Sequence, residues 1–317
     1  MEKTQRQNTF QEGIDMARTV SIGAQDFETV AEKDCFYIDK TYFISEWWKS
    51  KDKVTLITRP RRFGKTLNLS MVERFFSNLY DDQEELFGDM AVWQDEEMRK
   101  LAGQYPVIFL SFADIKENNF ENAKEQIMDR LYILFSDHEY LYESENISDN
   151  DRKMFERIQP DMKDTTAKTS LKILSRLMQK HSGKKALLLL DEYDTPMQEA
   201  YVHGYWKELV NFTRNLFNAA FKTNPSLERA LMTGITRVSR ESLFSDLNNL
   251  KVVTTTSKEY ETAFGFTEQE VFKAMEEFGF SNKEEVRFWY DGFTFGRVQG
   301  IYNPWSITQF LDEDGTL

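Results

Sequence analysis

The chain has 317 residues, enough for one large or two ordinary domains, and 40% of them are hydrophobic, so a sizeable core can form. A net charge of −13 and a pI near 4.9 provide no global basic field to draw it to nucleic acid or anionic lipid. The single Cys35 excludes an internal disulfide framework, the three histidines (His138, His181, His203) lack metal-ligand spacing, and the longest strongly apolar run, 186–190, is too short to span a bilayer. With no apolar signal-peptide core in MEKTQRQNTFQEG, the expectation is a soluble cytoplasmic protein with no membrane partner.

In chain order, residues 1–20 are polar and read as a tail. FYI at 36–38 is a short strand-like run, and Asp39-Lys40-Thr41 opens an aromatic-rich helix, YFISEWWKS. Strand 53–58 feeds a loop ending in Gly64-Lys65-Thr66, and a helix is predicted from 65 to 79. PVIFLSF at 106–112 is a second buried strand. Residues 120–135 place Ile127, Leu131, Leu134 and Phe135 on one helical face.

Residues 136–166 are charged and aperiodic and read as an insertion or surface hairpin. The helix at 167–181 ends before Gly183, a C-cap pattern. KALLLL at 185–190 is the most apolar strand, ending in Asp191-Glu192-Tyr193-Asp194. Helix 206–222 and strands 229–235 and 251–255 follow. Strands alternating with helices predict an α/β fold: a central, mainly parallel sheet of about five strands covered on both faces. Residues 21–256 would form this core. In 257–317, Thr267 and Glu270 spell a capping box, a second helix covers 283–290 after which Asp291-Gly292 turns, and Asn303-Pro304 starts a third, predicting a small helical lid subdomain.

VTLITRPRRFGKT at 54–66 has the layout of a phosphate-binding P-loop. Backbone N–H groups and the helix N-terminus cradle phosphates, Lys65 reaches the β and γ groups, and the Thr66 hydroxyl goes to Mg2+. The pattern G-x-x-x-x-G-K-[ST] asks for Gly at position 59, where this chain has Arg59 followed by Pro60. The loop must therefore take another path, either with Arg61 or Arg62 adding phosphate contacts or as a degenerate loop that binds nucleotide weakly.

ALLLLDE at 186–192 fits a Walker B strand: Asp191 holds Mg2+ and Glu192 acts as general base on the attacking water. One strand between the two motifs points to the class in which their strands are not sheet neighbours, AAA and STAND proteins among them. In LMTGITR at 231–237, Thr233 or Thr236 would be the polar sensor, and Arg237 or Arg240 an arginine finger or a surface cation. The expected nucleotide-binding set is thus Arg61, Arg62, Phe63, Gly64, Lys65, Thr66 and Leu67 with Asp191 and Thr236. Lys65, Glu192 and Arg237 are the catalytic candidates. Aromatics Phe36, Tyr37, Tyr42, Trp47 and Trp48 read as core, with base stacking as the rival. Asp161 and Lys163 in PDMK lack the strand that a nuclease acid-x-Lys motif needs.

Taken together, FYIDKT, LITRPRRFGKTLNLSM, LLLLDEYDTPM, TGITRVS…SLFSDLNNL and WYDGF…IYNPWSI resemble the bacterial AAA-ATPase-like family over about residues 20–315. The resemblance implies ATP binding at Lys65 and Thr66 with Asp191 and Glu192 as the acidic pair, and Arg in place of the first Gly is that family's version of the loop. Family members carry a fused C-terminal domain similar to PD-(D/E)XK nucleases, and this chain stops where it would begin. A nucleic-acid or protein partner through such a domain is therefore an expectation, as is a ligand switch with little turnover in place of an ATPase.

Overall fold

The computed structural model describes residues 19–20, 23–32, 35–236, 243–244, 247–290, 292–313 and 315. Two short helices, α1 (Phe27–Glu32) and α2 (Tyr42–Ser50), lead into strand β1 (Val54–Thr58) and helix α3 (Lys65–Phe76). Short helices α4 (Gln83–Phe87) and α5 (Glu96–Arg99) precede β2 (Val107–Ser111) and α6 (Phe120–Ser136). Then come α7 (Asp149–Phe155), α8 (Asp164–Ala167), α9 (Ser170–Ser182), β3 (Ala186–Asp191), α10 (Thr195–His203), α11 (Trp206–Phe221), β4 (Leu227–Gly234) and β5 (Leu250–Val253).

These five strands form one parallel sheet in the order β2-β3-β4-β1-β5. β4 lies between β1 and β3, so the GKT and DE strands are separated by one strand, as expected. The unbroken apolar run of β3 reflects burial on both faces. Leu188 and Leu190 pack with α6, α9 and α11, while Leu187 and Leu189 pack with α3 and the N-terminal helices. Register brings Ile57 beside Thr233 and Thr58 beside Gly234, so the strand ends that carry polar residues stop at one level.

Three differences from the sequence expectation stand out. Residues 36–38 form no strand: beyond an isolated Thr19–Cys35 bridge they run unpaired, Phe36 going edge-on to Phe278 and Tyr37 to Phe27. Residues 136–166 bury Leu141, Ile147, Ile158 and Met162 in the core shared with α6 and α9, rather than forming a surface hairpin. Beyond 257, helices α12 (Glu268–Glu277), α13 (Lys283–Tyr290) and α14 (Pro304–Asp312) are joined by β6 (Phe266–Thr267), β7 (Phe293–Phe295) and β8 (Val298–Tyr302). These strands make an antiparallel sheet in the order β6-β8-β7, so the subdomain is helical and β together. The Thr267–Glu270 capping box is present, and Asn303 caps α14; Asp291 lies outside the described residues.

Candidate functional site

The loop between β1 and α3 curls through two residues with positive φ, Arg62 (67°) and Gly64 (72°). A Cβ on Gly64 would meet nothing within 4 Å, so backbone conformation rather than space demands glycine there, and that side of the loop is open. α3 starts at Lys65, whose Nζ bridges the loop to donate to the Pro60 carbonyl at 2.9 Å. Burial lowers the Lys65 pKa, and the carboxylates of Glu192, Asp191 and Asp194 pull it the other way.

Next to Lys65, Thr66 Oγ1 donates to Asp191 Oδ2 at 2.8 Å across 125 residues of chain. The other carboxylate oxygen of Asp191 accepts from the Thr233 hydroxyl on the intervening strand. Glu192 follows in the left-handed region (φ 47°), and its Oε2 accepts from Thr195 Oγ1 at 3.1 Å. Such strain in a non-glycine residue occurs where neighbouring structure fixes it, here at a strand end facing the opening.

Thr236 is elsewhere. Its N–H and hydroxyl both donate to Asp194 Oδ2 at 2.7 Å, and Ile235 N–H and Gln198 Nε2 also donate to this fully buried carboxylate. Asp194 thus clamps the chain leaving β4, with Tyr193 OH adding a bond to the Thr236 carbonyl. Of the two threonines weighed as sensor, Thr233 is the one against Asp191. Arg237 and Arg240 lie outside the described residues.

Arg59 turns away from the opening. Its guanidinium is fully buried, donating to the carbonyls of Thr58 (3.0 Å) and Tyr260 (3.2 Å) and lying 4.9 Å from the Phe295 ring centroid and 5.5 Å from that of Phe264. Without a carboxylate partner among the described residues, it feels only desolvation, which pushes its pKa down to about 10. Phe63 is buried beside it against Phe293, Phe295 and Ile301. Arg62 stacks 3.8 Å over the Trp305 ring, whereas Arg61 lines the opening with no stacking partner among the described residues. Gly265 permits this approach, because a Cβ there would come within 2.6 Å of Ile301 and 2.9 Å of Phe63.

The opening is a cavity of about 530 Å³, a size suited to a drug-sized or nucleotide-sized ligand. Loop residues 61–68 and Glu192 line it, together with Phe36, Tyr37, Ile38, Phe266 and Trp305. Trp47 is core, packed on Phe76 and Trp48, and Trp48 also stacks toward Tyr105. Tyr42 OH reaches Thr262. Lys40 borders the cavity, but its ammonium is held by Glu270 at 2.6 Å and by the Thr262 carbonyl. Asp39 and Thr41 accept from the N–H groups of Ala91 and Val92. Asp161 is exposed in a turn between α7 and α8 with no strand beside it.

Sequence reading passed over Asp194, Lys116 and Trp305. Asp194 carried a signal, a second acid three residues after Asp191 and just before Thr195-Pro196 opens a helix. Lys116 and Trp305 had none, being brought to the cavity only by folding.

The donors present suit a Mg2+-bound nucleotide. Thr66 and Asp191 are hard oxygen donors in contact, and no group of three or more His, Cys, Asp or Glu gathers as a metal cage among the described residues. Mg2+ favours this arrangement, taking one or two protein oxygens and completing its shell with water and phosphate.

Comparison with known proteins agrees with this architecture. The family model described as "Predicted AAA-ATPase" matches residues 21–244. An "Uncharacterized protein in vnfD 5'region" from Azotobacter chroococcum mcd 1 is 25% identical over 295 residues, covering 92% of this chain and 51% of the relative. The chain therefore spans about half the length of that curated relative.

Proposed function

The chain belongs to the predicted AAA-ATPase family, a nucleotide-binding P-loop fold, and on that premise we propose that it binds ATP with Mg2+ and hydrolyses it. The observation that carries this reading is the meeting of Thr66 with Asp191, with Lys65 and Glu192 lining the same opening. Lys65 leaves the Pro60 carbonyl to neutralise the β and γ phosphates, and the N–H groups at the start of α3 bind the same oxygens. Thr66 and Asp191 would hold Mg2+, which supplies charge neutralisation at the phosphates when bound. Thr233 keeps the Asp191 carboxylate oriented. Glu192, held at Oε2 by Thr195, accepts the proton of the attacking water.

Residues 257–317 act in this reading as a lid that follows the loop. Arg59, Arg62 and Phe63 all rest on that subdomain, so a change of loop geometry on phosphate binding moves it. Turnover then drives a conformational change that an effector can read.

Single-turnover phosphate release tests the enzyme. The unaltered chain is expected to release phosphate, and Glu192→Gln to bind ATP equally well while releasing it about 10²-fold or more slowly. Background release from both, with ATP affinity intact, would instead assign the site to a nucleotide-responsive switch.

A further inference from the structure

The acidic balance of this chain is not evenly spread. Between residues 152 and 185 there are ten Lys and Arg against three Asp and Glu, a local net charge of +7; the rest has 30 against 50, or −20. This basic stretch runs through α7, α8 and α9, and folding concentrates it around a second cavity of about 390 Å³. The cavity is walled by the cations Arg157, Lys172 and Arg176 and the hydroxyls of Thr165, Thr166 and Thr169. Met154 and Ile173 complete its lining, and no aromatic ring does so among the described residues.

The local carboxylates do not cancel these charges. Asp151, itself buried, is shared by Arg176 (3.1 Å) and Lys180, two cations on one anion. Asp164 pairs with Lys124 on α6, and Glu156 accepts from Tyr142. Arg157 and Lys172 make no ion pair among the described residues. On α9, Lys172, Arg176 and Lys180 recur every four residues, roughly 6 Å apart along one face of the helix. Lys184 and Lys185 extend the row beyond the helix end. A single small anion could not neutralise a row of that length, whereas a duplex carries one charge per roughly 1.7 Å.

From this geometry we infer that the face built by α7, α8 and α9 binds the phosphate backbone of double-stranded nucleic acid without reading its sequence. Lys, Arg and Thr are the side chains that contact phosphate, and the missing aromatics leave no platform for stacking unpaired bases. The strongly negative remainder of the chain repels the same polymer and so restricts contact to this face. The site lies among helices that pack on Leu188 and Leu190, whereas α3 and the helices around α5 pack on the opposite face of the sheet. It therefore does not depend on the nucleotide reading above.

The test is fluorescence anisotropy of a labelled duplex DNA of about 20 base pairs titrated with the full 317-residue chain, without ATP, over a series of salt concentrations. Binding that weakens steeply with salt is expected. Arg157→Glu with Lys172→Glu should weaken it at least about tenfold at low salt and reduce the log–log salt slope by about two. Lys100→Glu, an exposed cation after α5, should change neither by more than about twofold, and unchanged melting of all three proteins shows that the fold is kept. No anisotropy change at low salt overturns the inference. So does equal weakening by Lys100→Glu, competition by polyglutamate at matched charge (an acidic polypeptide site), or competition by pyrophosphate at matched ionic strength (a small-anion pocket).

Discussion

Residues 59–63 and 64–66 are continuous in the chain and are held by different forces. The later half borders an open cavity: Gly64 has free space beside it, Lys65 donates to a carbonyl of its own loop, and Thr66 touches Asp191. In the earlier half Arg59 lies between two aromatic rings and Phe63 is buried, while the exposed Arg62 stacks on Trp305 and Arg61 lines the opening. A conventional P-loop needs its first glycine so that backbone can approach phosphate. Here that position holds Arg59, which faces the C-terminal subdomain instead. Arg59 therefore anchors the loop to the C-terminal subdomain.

Single substitutions in the two halves should separate stability from binding. Phe63→Ala removes a fully buried ring and is expected to cost about 3–5 kcal/mol, lowering the melting midpoint by roughly 5–15 °C in a thermal scan. Lys65→Ala should leave the midpoint nearly unchanged while weakening ATP binding about 10- to 100-fold by calorimetry, since it deletes a charge-assisted phosphate contact and a desolvated cation together. A melting loss from Lys65→Ala as large as that from Phe63→Ala would erase the distinction.

A smaller effect sharpens the boundary. Arg62→Ala loses the stacking on Trp305 but keeps the positive φ, and should cost about 0.5–1 kcal/mol in denaturant unfolding. Arg62→Gly also relieves the left-handed conformation, offsetting that loss, and should fall close to the unaltered protein. If both variants are equally destabilised, backbone strain plays no part at this position.

The mildest probe uses pH, at a residue of α3 that does not line the cavity. Burial, reinforced by Asp26, raises the Glu73 pKa from 4.5 to about 7. A carboxyl whose folded pKa is raised stabilises the fold fully below pH 4.5, and that contribution is lost as pH rises through about 7. Glu73→Gln should therefore raise the melting midpoint at pH 8 and change it little at pH 4.5. An equal gain at both pH values would assign the effect to something other than the carboxyl.

Much of the fold was legible because its signals are local. The apolar run of β3, the capping box at Thr267–Glu270 and Gly183 at a helix end each place an element whatever surrounds them, whereas the box at Ser148–Asp151 went unread inside a charged stretch that reads as an insertion or surface hairpin. Short pieces were not legible. FTF and VQGIY are strands of three and five residues turning at Gly296, too brief for periodicity to register, and they become strands by packing Phe295 and Ile301 against Phe63. Likewise the charges at 136–166 hid four buried apolar side chains spaced too irregularly to form a pattern.

Order along the chain determined the parallel α/β sheet and pointed to Lys65, Thr66, Asp191 and Glu192, because strand apolarity and loop chemistry are properties of neighbouring residues. Only the tertiary structure decided that Thr233 and not Thr236 touches Asp191, where Arg59 goes, and which face carries the positive charge. These depend on side chains many residues apart competing for the same space and the same partners, and that competition is resolved only when the sheet and the C-terminal subdomain close around the loop.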